Sequence, residues 1–386
     1  MTQPLDECPA CGDVSRPLTD WEFSGLGDSV FNYVACFYSC SACGLVYIQN
    51  TSDARLARFY QEECSYFDKP HFDVTSPANV EKYEAYRAFV SANGLERVDV
   101  TDVGCGRGGF LSWLKQHGWE GECCGVDVDA KSIPLGGGVA TGLRFEHGDA
   151  FALPFEGDTR ALLTYFHVLE HIRDLDRLLT EARRVLRPDG HILIEVPDAE
   201  RYSAHPIGSG FWIGIREHVN HFSASALAQL LRRNGFSVLR VARRMLPTPE
   251  FSYPSLMLLA QRGDDTGVVP SLPPGEIPAF VLESRHALEA QVALVSSLLA
   301  EGTKVTFWGC SAQLMSLLPL LDLRTVVLCD SAQSKQSSHY LGMAIRSPAD
   351  VPPEGTLVIA PYLHGALIEQ AALAMGWQRD AIYRLQ

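Results

Sequence analysis

Alternating strand and helix patterns, broken once by a Pro- and Gly-rich stretch, predict an α/β chain with two parallel-sheet domains behind a small cysteine-rich module. Three observations carry this. Strand–helix alternation runs from residue 98 to about 262, it resumes at residue 304, and the first 50 residues hold two C-x-x-C pairs. A chain of 386 residues has room for two or three domains at roughly 100–200 residues each.

Hydrophobic residues make up 46% of the chain and charged residues 20%, enough to build buried cores. Lys and Arg number 32 against 46 Asp and Glu, for a net charge of −14. Such a surface is wrong for a nucleic-acid backbone, which needs a basic face. A local basic pocket for one anionic small molecule stays compatible with it. The start, MTQPLDECPACG, has no basic-then-apolar leader pattern, and no apolar run reaches the 18 residues that span a bilayer. The expectation is a soluble, cytoplasmic protein acting on a small molecule, away from membranes.

The elements follow in order. Residues 1–50 are dominated by CPACG and CSACG. Segments 53–63 and 79–93 carry apolar residues at three- and four-residue spacing and read as helices. The strand VDVTDVG (98–104) leads through a glycine-rich turn into the helix GGFLSWLKQHG (108–118). Then come the strand GECCGVDVD (121–129), the short segment LRFEHGDA (143–150) and the strand TRALLTYFHV (159–168). The helix DLDRLLTEARRVL (174–186) meets a stop at Pro188-Asp189-Gly190, before the strand HILIEVP (191–197). A helix over 223–235 and strands over 236–244 and 255–262 complete residues 51–262. Residues 263–279 read as a linker. A long helix (281–302) opens the last unit, 280–386, where KVTFWGC, SAQLMSLLPLL and TVVLCD repeat the strand–turn–helix–strand form and TLVIAP and GALIEQAALAMG extend it.

Four motifs bear chemistry. Cys8, Cys11, Cys40 and Cys43 form two knuckles 28 residues apart, a spacing that lets one tetrahedral ion collect four thiolates. Four sulfur ligands leave no open position, so a structural zinc is expected. The string DVGCGRGGF (102–110) follows a strand and opens a helix. There Gly104 and Gly106 let the backbone approach a ligand and the helix start offers free N–H groups. Asp127, 23 residues after Gly104, ends the next strand, where a carboxylate can accept two ribose hydroxyls. These features suit a nicotinamide cofactor and S-adenosylmethionine alike. His167, Glu170 and His171 spell H-x-x-E-H, an inverted zinc-peptidase pattern, but His167 ends an apolar strand and the long helix that pattern needs is missing. Finally, Glu217, His218 and His221 lie just before a helix capped by Ser223 or Ser225. A histidine with a near-neutral pKa there is a candidate general base, and a neighbouring carboxylate could orient it.

With HGDA, TYFHVLEHIRD and RRVLRPDGHILIEVP following the glycine loop, residues 90–260 resemble class I S-adenosylmethionine-dependent methyltransferases, with a Rossmann-like fold. The resemblance implies that Asp102, Gly104 and Gly106 hold the methionine end of the cofactor, Asp127 the ribose, and Asp149 with Ala150 the adenine. Phe166 and His167 would lie beside the reactive methyl. The three-part layout further resembles the sugar C-methyltransferases of deoxysugar biosynthesis. In that family a Tyr-x-Glu-His segment supplies a histidine that deprotonates the carbon next to a sugar ketone. Here Glu217 and His218 match, Ile215 stands in place of the tyrosine, and His167 stands near the usual asparagine. In the C-terminal domain only Gly309 remains of the glycines of a nucleotide site, followed by Asp330, Lys335 and Gly342. The implied function is methyl transfer to a polar small molecule, with a nucleotide-linked keto-sugar as first choice and His218 as base. The alternatives are an O- or N-methyltransferase of another natural product and a cofactor-binding scaffold without turnover.

Overall fold

A computed structural model of the chain describes residues 6–64, 74–131, 142–205, 210–248, 251–263, 276–300 and 302–385. The N-terminal strands β1 (Asp6–Glu7), β2 (Val14–Phe23), β3 (Tyr33–Cys40) and β4 (Val46–Ile48) form an antiparallel sheet. The cysteine knuckles are its two turns. Pairing of Ser15 with Cys40 sets them side by side.

α1 (Asp53–Arg58) starts where Ser52 caps the Arg55 N–H, and it passes into a wider π turn at Phe59–Glu63. α2 (Pro77–Ala92) is capped by Ser76 and has proline in its first turn, where the missing N–H costs nothing. The central domain then alternates β5 (Val100–Val103), α3 (Gly109–Gln116), β6 (Cys123–Asp127), β7 (Leu143–His147), β8 (Arg160–Phe166), α4 (Leu175–Val185) and β9 (Leu186–Pro197). After the short β10 (Asn220–His221) come α5 (Ala224–Arg233), β11 (Phe236–Pro247) and β12 (Ser252–Arg262). The sheet order is β11-β12-β9-β8-β5-β6-β7. The strands from β7 through β9 are parallel, and β12 enters antiparallel to both its neighbours. Strand order reverses at β5 beside β8, so a crevice opens beyond their carboxyl ends.

α4 ends three residues before Pro188 and β9 begins at once, because the residue before a proline is driven out of helical geometry. α6 (Ile277–Ala300) takes in the last three residues of the expected linker, most of which lies outside the described residues. The C-terminal domain follows with β13 (Val305–Trp308), α7 (Ala312–Leu317), β14 (Val326–Cys329), α8 (Gln333–Gln336), β15 (His339–Tyr340), β16 (Met343–Arg346), β17 (Thr356–Ile359), α9 (Gly365–Ala374) and β18 (Ile382–Arg384). Its order, β15-β16-β14-β13-β17-β18, is a second parallel sheet with one antiparallel edge strand. No helix among the described residues is long and apolar enough to cross a membrane.

One connection matters for the site. β10 pairs antiparallel with β4, Asn220 opposite Tyr47 and His221 opposite Val46, so the central domain lends a strand to the cysteine module's sheet. One apolar core spans that module, the 199–219 segment and the C-terminal domain, through Trp21, Phe31, Phe37, Trp212, Ile213, Phe280 and Phe307.

Candidate functional site

The glycine turn sits at the crevice. Gly104, Gly106 and Gly108 all have positive φ, +80°, +51° and +66°. A Cβ on Gly104 would come within 2.6 Å of Val168 Cγ2, and one on Gly108 within 2.1 Å of the Phe145 ring, so both positions demand glycine. The Asp127 carboxylate clasps the turn. Its Oδ2 accepts from Gly106 N at 2.7 Å and its Oδ1 from Asp129 N at 2.8 Å. Burial raises the pKa of Asp127 from its ordinary value, against the pull of the two backbone N–H groups. Asp102, just before the turn, is buried, and burial lifts it to about 7 even though Thr164 donates to it at 2.6 Å. Asp149 is exposed, with Oδ1 accepting from Phe151 N at 2.9 Å, and Ala150 follows it at the rim of the crevice. Phe166 stacks on Tyr86 at 3.9 Å between centroids and meets Phe110 edge-on at 5.3 Å, so its ring serves as a floor.

His167 follows Phe166 with a φ of +58°, a conformation that costs a non-glycine residue about 1–2 kcal/mol. Strain of this kind concentrates at functional sites. The ring is held from both sides: Nδ1 lies 3.0 Å from Glu170 Oε1, and Nε2 lies 2.8 Å from the Tyr253 hydroxyl and 3.5 Å from Glu195 Oε2. Burial alone would push this imidazole down, but hydrogen bonds to Glu170 and Glu195 overcome it and lift the pKa to about 9. Glu195 is fully buried and also accepts from Tyr86 and Ser255. Ser255 and Tyr253 reach the network together because residues two apart on a strand share a face. His167 ends β8, while Glu170 and His171 lie on the 3-10 turn Leu169–His171, so no single helix carries the H-x-x-E-H triplet.

The 214–221 segment approaches from the other side. The His171 and His218 rings meet edge-on at 4.8 Å, and His171 Nδ1 lies 3.0 Å from the Glu217 carbonyl oxygen. His218 Nδ1 is buried without a hydrogen-bond partner. Burial and the neighbouring His171, His221 and His167 rings hold the His218 pKa well below the usual histidine value, so the ring is neutral. The Glu217 carboxyl makes no hydrogen bond to the His218 ring. The expected carboxylate–imidazole pair is therefore absent, and Glu217 contributes its backbone carbonyl to His171 instead. His221 packs on Phe37 at 6.0 Å inside the module, as a residue of the helix entry. Ser223 caps α5 by accepting from Ala226 N.

Burial raises the Glu217 pKa to about 7. A carboxyl whose folded pKa lies above its unfolded value gives its full stability below about pH 4 and loses it as pH rises through the folded pKa. Glu217→Gln should therefore melt with the wild type near pH 4 and above it at pH 8. Parallel melting curves at both pH values would show that this carboxyl is solvated.

In the module, Cys8 Sγ lies 3.6 Å from Cys43 Sγ and Cys11 Sγ lies 3.5 Å from Cys40 Sγ, and all four sulfurs fall within 4.8 Å of one another. Thiolates about 2.3 Å from one tetrahedral ion stand about 3.8 Å apart, so the set fits such an ion closely. The knuckles match each other. Gly12 N donates to Cys8 O and Gly44 N to Cys40 O, both at 2.9 Å, and both glycines have φ +80°. None of the cysteines is in a disulfide.

The C-terminal domain repeats the carboxylate clasp: Asp330 accepts from Cys310 N at 2.7 Å and from Ala332 N at 2.8 Å. Here Lys335 closes it, with Nζ 3.1 Å from Asp330 and 2.9 Å from Cys310 O. The carboxylate that a nucleotide ribose would meet is already paired inside its own domain.

Sequence reasoning missed Glu195, Tyr253, Tyr86 and the module's strands. A lone carboxylate inside the apolar run HILIEVP was the one available signal for Glu195.

Residues 78–241 match a protein family described as a methyltransferase domain. Norajmaline N-methyltransferase of Rauvolfia serpentina is 29% identical over 103 residues, 25% of this chain and 35% of that one. Malonyl-[acyl-carrier protein] O-methyltransferase of Methylococcus capsulatus is 28% identical over 196 residues, 49% of this chain and 68% of that one. A solved methyltransferase structure from Methanosarcina mazei superposes with a TM-score of 0.37 at 18% identity, covering 46% of this chain and 98% of that one. The chain spans 35–46% of the length of the first three curated relatives it matches.

Proposed function

We propose that this chain, whose residues 78–241 carry a class I S-adenosylmethionine-dependent methyltransferase domain, methylates a carbon beside the ketone of a nucleotide-linked sugar, with His218 as the base and a structural zinc in the N-terminal module. The observation that supports the base assignment is the neutral His218 ring with Nδ1 buried and unpaired, beside His171. A ring in that state can take a proton.

Bound S-adenosylmethionine supplies an electrophilic methyl group. The chain's residues do the rest. The glycine turn, held in left-handed geometry, and the Asp127 clasp are shaped for a backbone-hugging cofactor. His218 takes the proton from the acceptor carbon. The aromatic floor of Phe166, Tyr86 and Phe110 excludes water from that side. Relatives named as N- and O-methyltransferases keep a heteroatom acceptor as the second reading, in which the same ring would deprotonate a hydroxyl.

The test is direct. Incubation with S-adenosylmethionine and a nucleoside-diphosphate-linked keto-deoxysugar should give a C-methylated product by mass spectrometry and NMR. The same sugar in D2O should exchange the hydrogen next to its ketone. An O-methylated product, or no exchange, refutes the carbon acceptor.

For the cofactor, Asp127→Ala should weaken S-adenosylmethionine by about 1.5–3 kcal/mol, roughly 10- to 150-fold, the usual range for hydrogen bonds to a charged group. Titration calorimetry reads this. Unchanged affinity, or preference for a nicotinamide nucleotide, would show that the clasp does not meet the cofactor.

A further inference from the structure

Ile215 offers no hydroxyl beside His218 to steady an enolate. The His167 network offers one. We infer that the Tyr253 hydroxyl, held by His167 Nε2, donates the hydrogen bond that stabilises the acceptor's developing oxyanion. The assignment rests on the carbon-acceptor reading above.

The argument is one of donors and acceptors. His167 lies between two buried carboxylates, Glu170 at 3.0 Å from Nδ1 and Glu195 at 3.5 Å from Nε2; a doubly protonated ring gives its Nδ1 proton to Glu170 and its Nε2 proton to the nearer Tyr253 oxygen, with Glu195 as a neighbouring countercharge. The Nε2 proton points to the Tyr253 oxygen at 2.8 Å, so that oxygen accepts. Tyr253's own proton then needs a different acceptor, and among the described residues the hydroxyl has no second partner. The Glu195 oxygens already accept from Tyr86 and Ser255. Tyr253 also faces the segment that carries His218. Its ring lies 6.1 Å from Trp212 and 6.0 Å from Phe251, which packs on Phe211 at 5.5 Å. When His218 takes the proton, the C–H electron pair forms the C=C bond of an enolate and the carbonyl pair moves onto oxygen. A preorganised O–H aimed there stabilises that charge. Tyr253 is thus a catalytic residue, while His167 and Glu195 position it.

The groups facing His167 are Glu170 from the 3-10 turn, with His171 behind it; Glu195 from β9; Tyr253 from β12; Tyr86 from α2, bonded to Glu195; and His218 from the 214–221 segment, close enough for the two rings to act on each other's charge. His167 gives up its extra proton near pH 9. The neutral ring keeps Nδ1–H on Glu170, and its Nε2 lone pair then draws the Tyr253 proton inward. Turnover should fall as pH rises through about 9.

The experiment measures turnover against pH on a nucleoside-diphosphate-linked keto-deoxysugar, with cofactor affinity by calorimetry as the check on folding. Tyr253→Phe should lose about 10²- to 10³-fold in kcat with cofactor affinity near wild type, the usual cost of one oxyanion donor. His167→Gln keeps a hydrogen bond to Tyr253 without the charge and should abolish the alkaline fall. Tyr253→Phe at full rate, or an alkaline fall that persists in His167→Gln, overturns the assignment while leaving methyl transfer intact. Failure of the wild type on keto-sugars overturns the carbon-acceptor reading, and this assignment with it.

Discussion

His218→Ala should lower turnover by about 10²- to 10⁴-fold with S-adenosylmethionine affinity near wild type, the range set by general-base catalysis. The environment fixes how the pH profile should look. Burial and three neighbouring histidine rings hold the His218 pKa well below the ordinary value, so the ring is in its proton-accepting form throughout the neutral range. A base needs its free form, so the wild-type rate should show no acid-side loss from His218 between pH 6 and 8. Glu217→Gln should cost far less, because the carboxyl makes no bond to the ring and the backbone carbonyl that accepts from His171 survives the change. A His218→Ala enzyme that keeps its rate and pH profile would place the base elsewhere.

Cys40→Ser should cost both metal and turnover. Structural zinc supplies about 10–16 kcal/mol of apparent folding free energy in small zinc modules, so losing one of four thiolates should unfold the module or sharply lower its melting temperature. The damage should travel. Ser223 donates to Cys43 O at 2.6 Å, Ile48 N donates to Val219 O at 2.9 Å, and β10 begins two residues after His218. The segment that carries His218 thus hangs from the same sheet as the knuckles. Elemental analysis should find one zinc per wild-type chain, and chelation should cut turnover before it cuts cofactor binding. Purified protein without metal, or a Cys40→Ser variant with full stability, would refute this.

The two α/β domains were legible because parallel strands buried on both faces leave apolar runs such as VDVTDVG and HILIEVP. The glycine turn was legible because positive φ at Gly104 and Gly106 admits few other residues. The module's strands were not, since β2 carries Arg16, Pro17, Asp20 and Glu22 and its burial alternates only weakly. β10 is two residues long, and its partner lies more than 170 positions away, where no local pattern reaches. The His167 network shares this difficulty. Glu170, Glu195 and Tyr253 come from three elements, and only the packing of β8, β9 and β12 brings them together. The Glu217–His218 pairing was read from adjacency in sequence, yet neighbours in a tight turn point apart, and the structure gives Glu217's carbonyl to His171.

The lysine closing the C-terminal clasp bears on how that half of the chain can drift. In the central turn, the Val168 and Phe145 side chains and a left-handed backbone together forbid side chains at Gly104 and Gly108. In the C-terminal turn only Gly309 is pinned, by Pro361 at 2.3 Å from a would-be Cβ, and Ser311 has become a helix cap that accepts from Leu314 N. Lys335 meanwhile holds Asp330 from within the domain. Across descendants of this protein the first loop should stay fixed while the second wanders, provided the Asp330–Lys335 pair and Gly309 travel together.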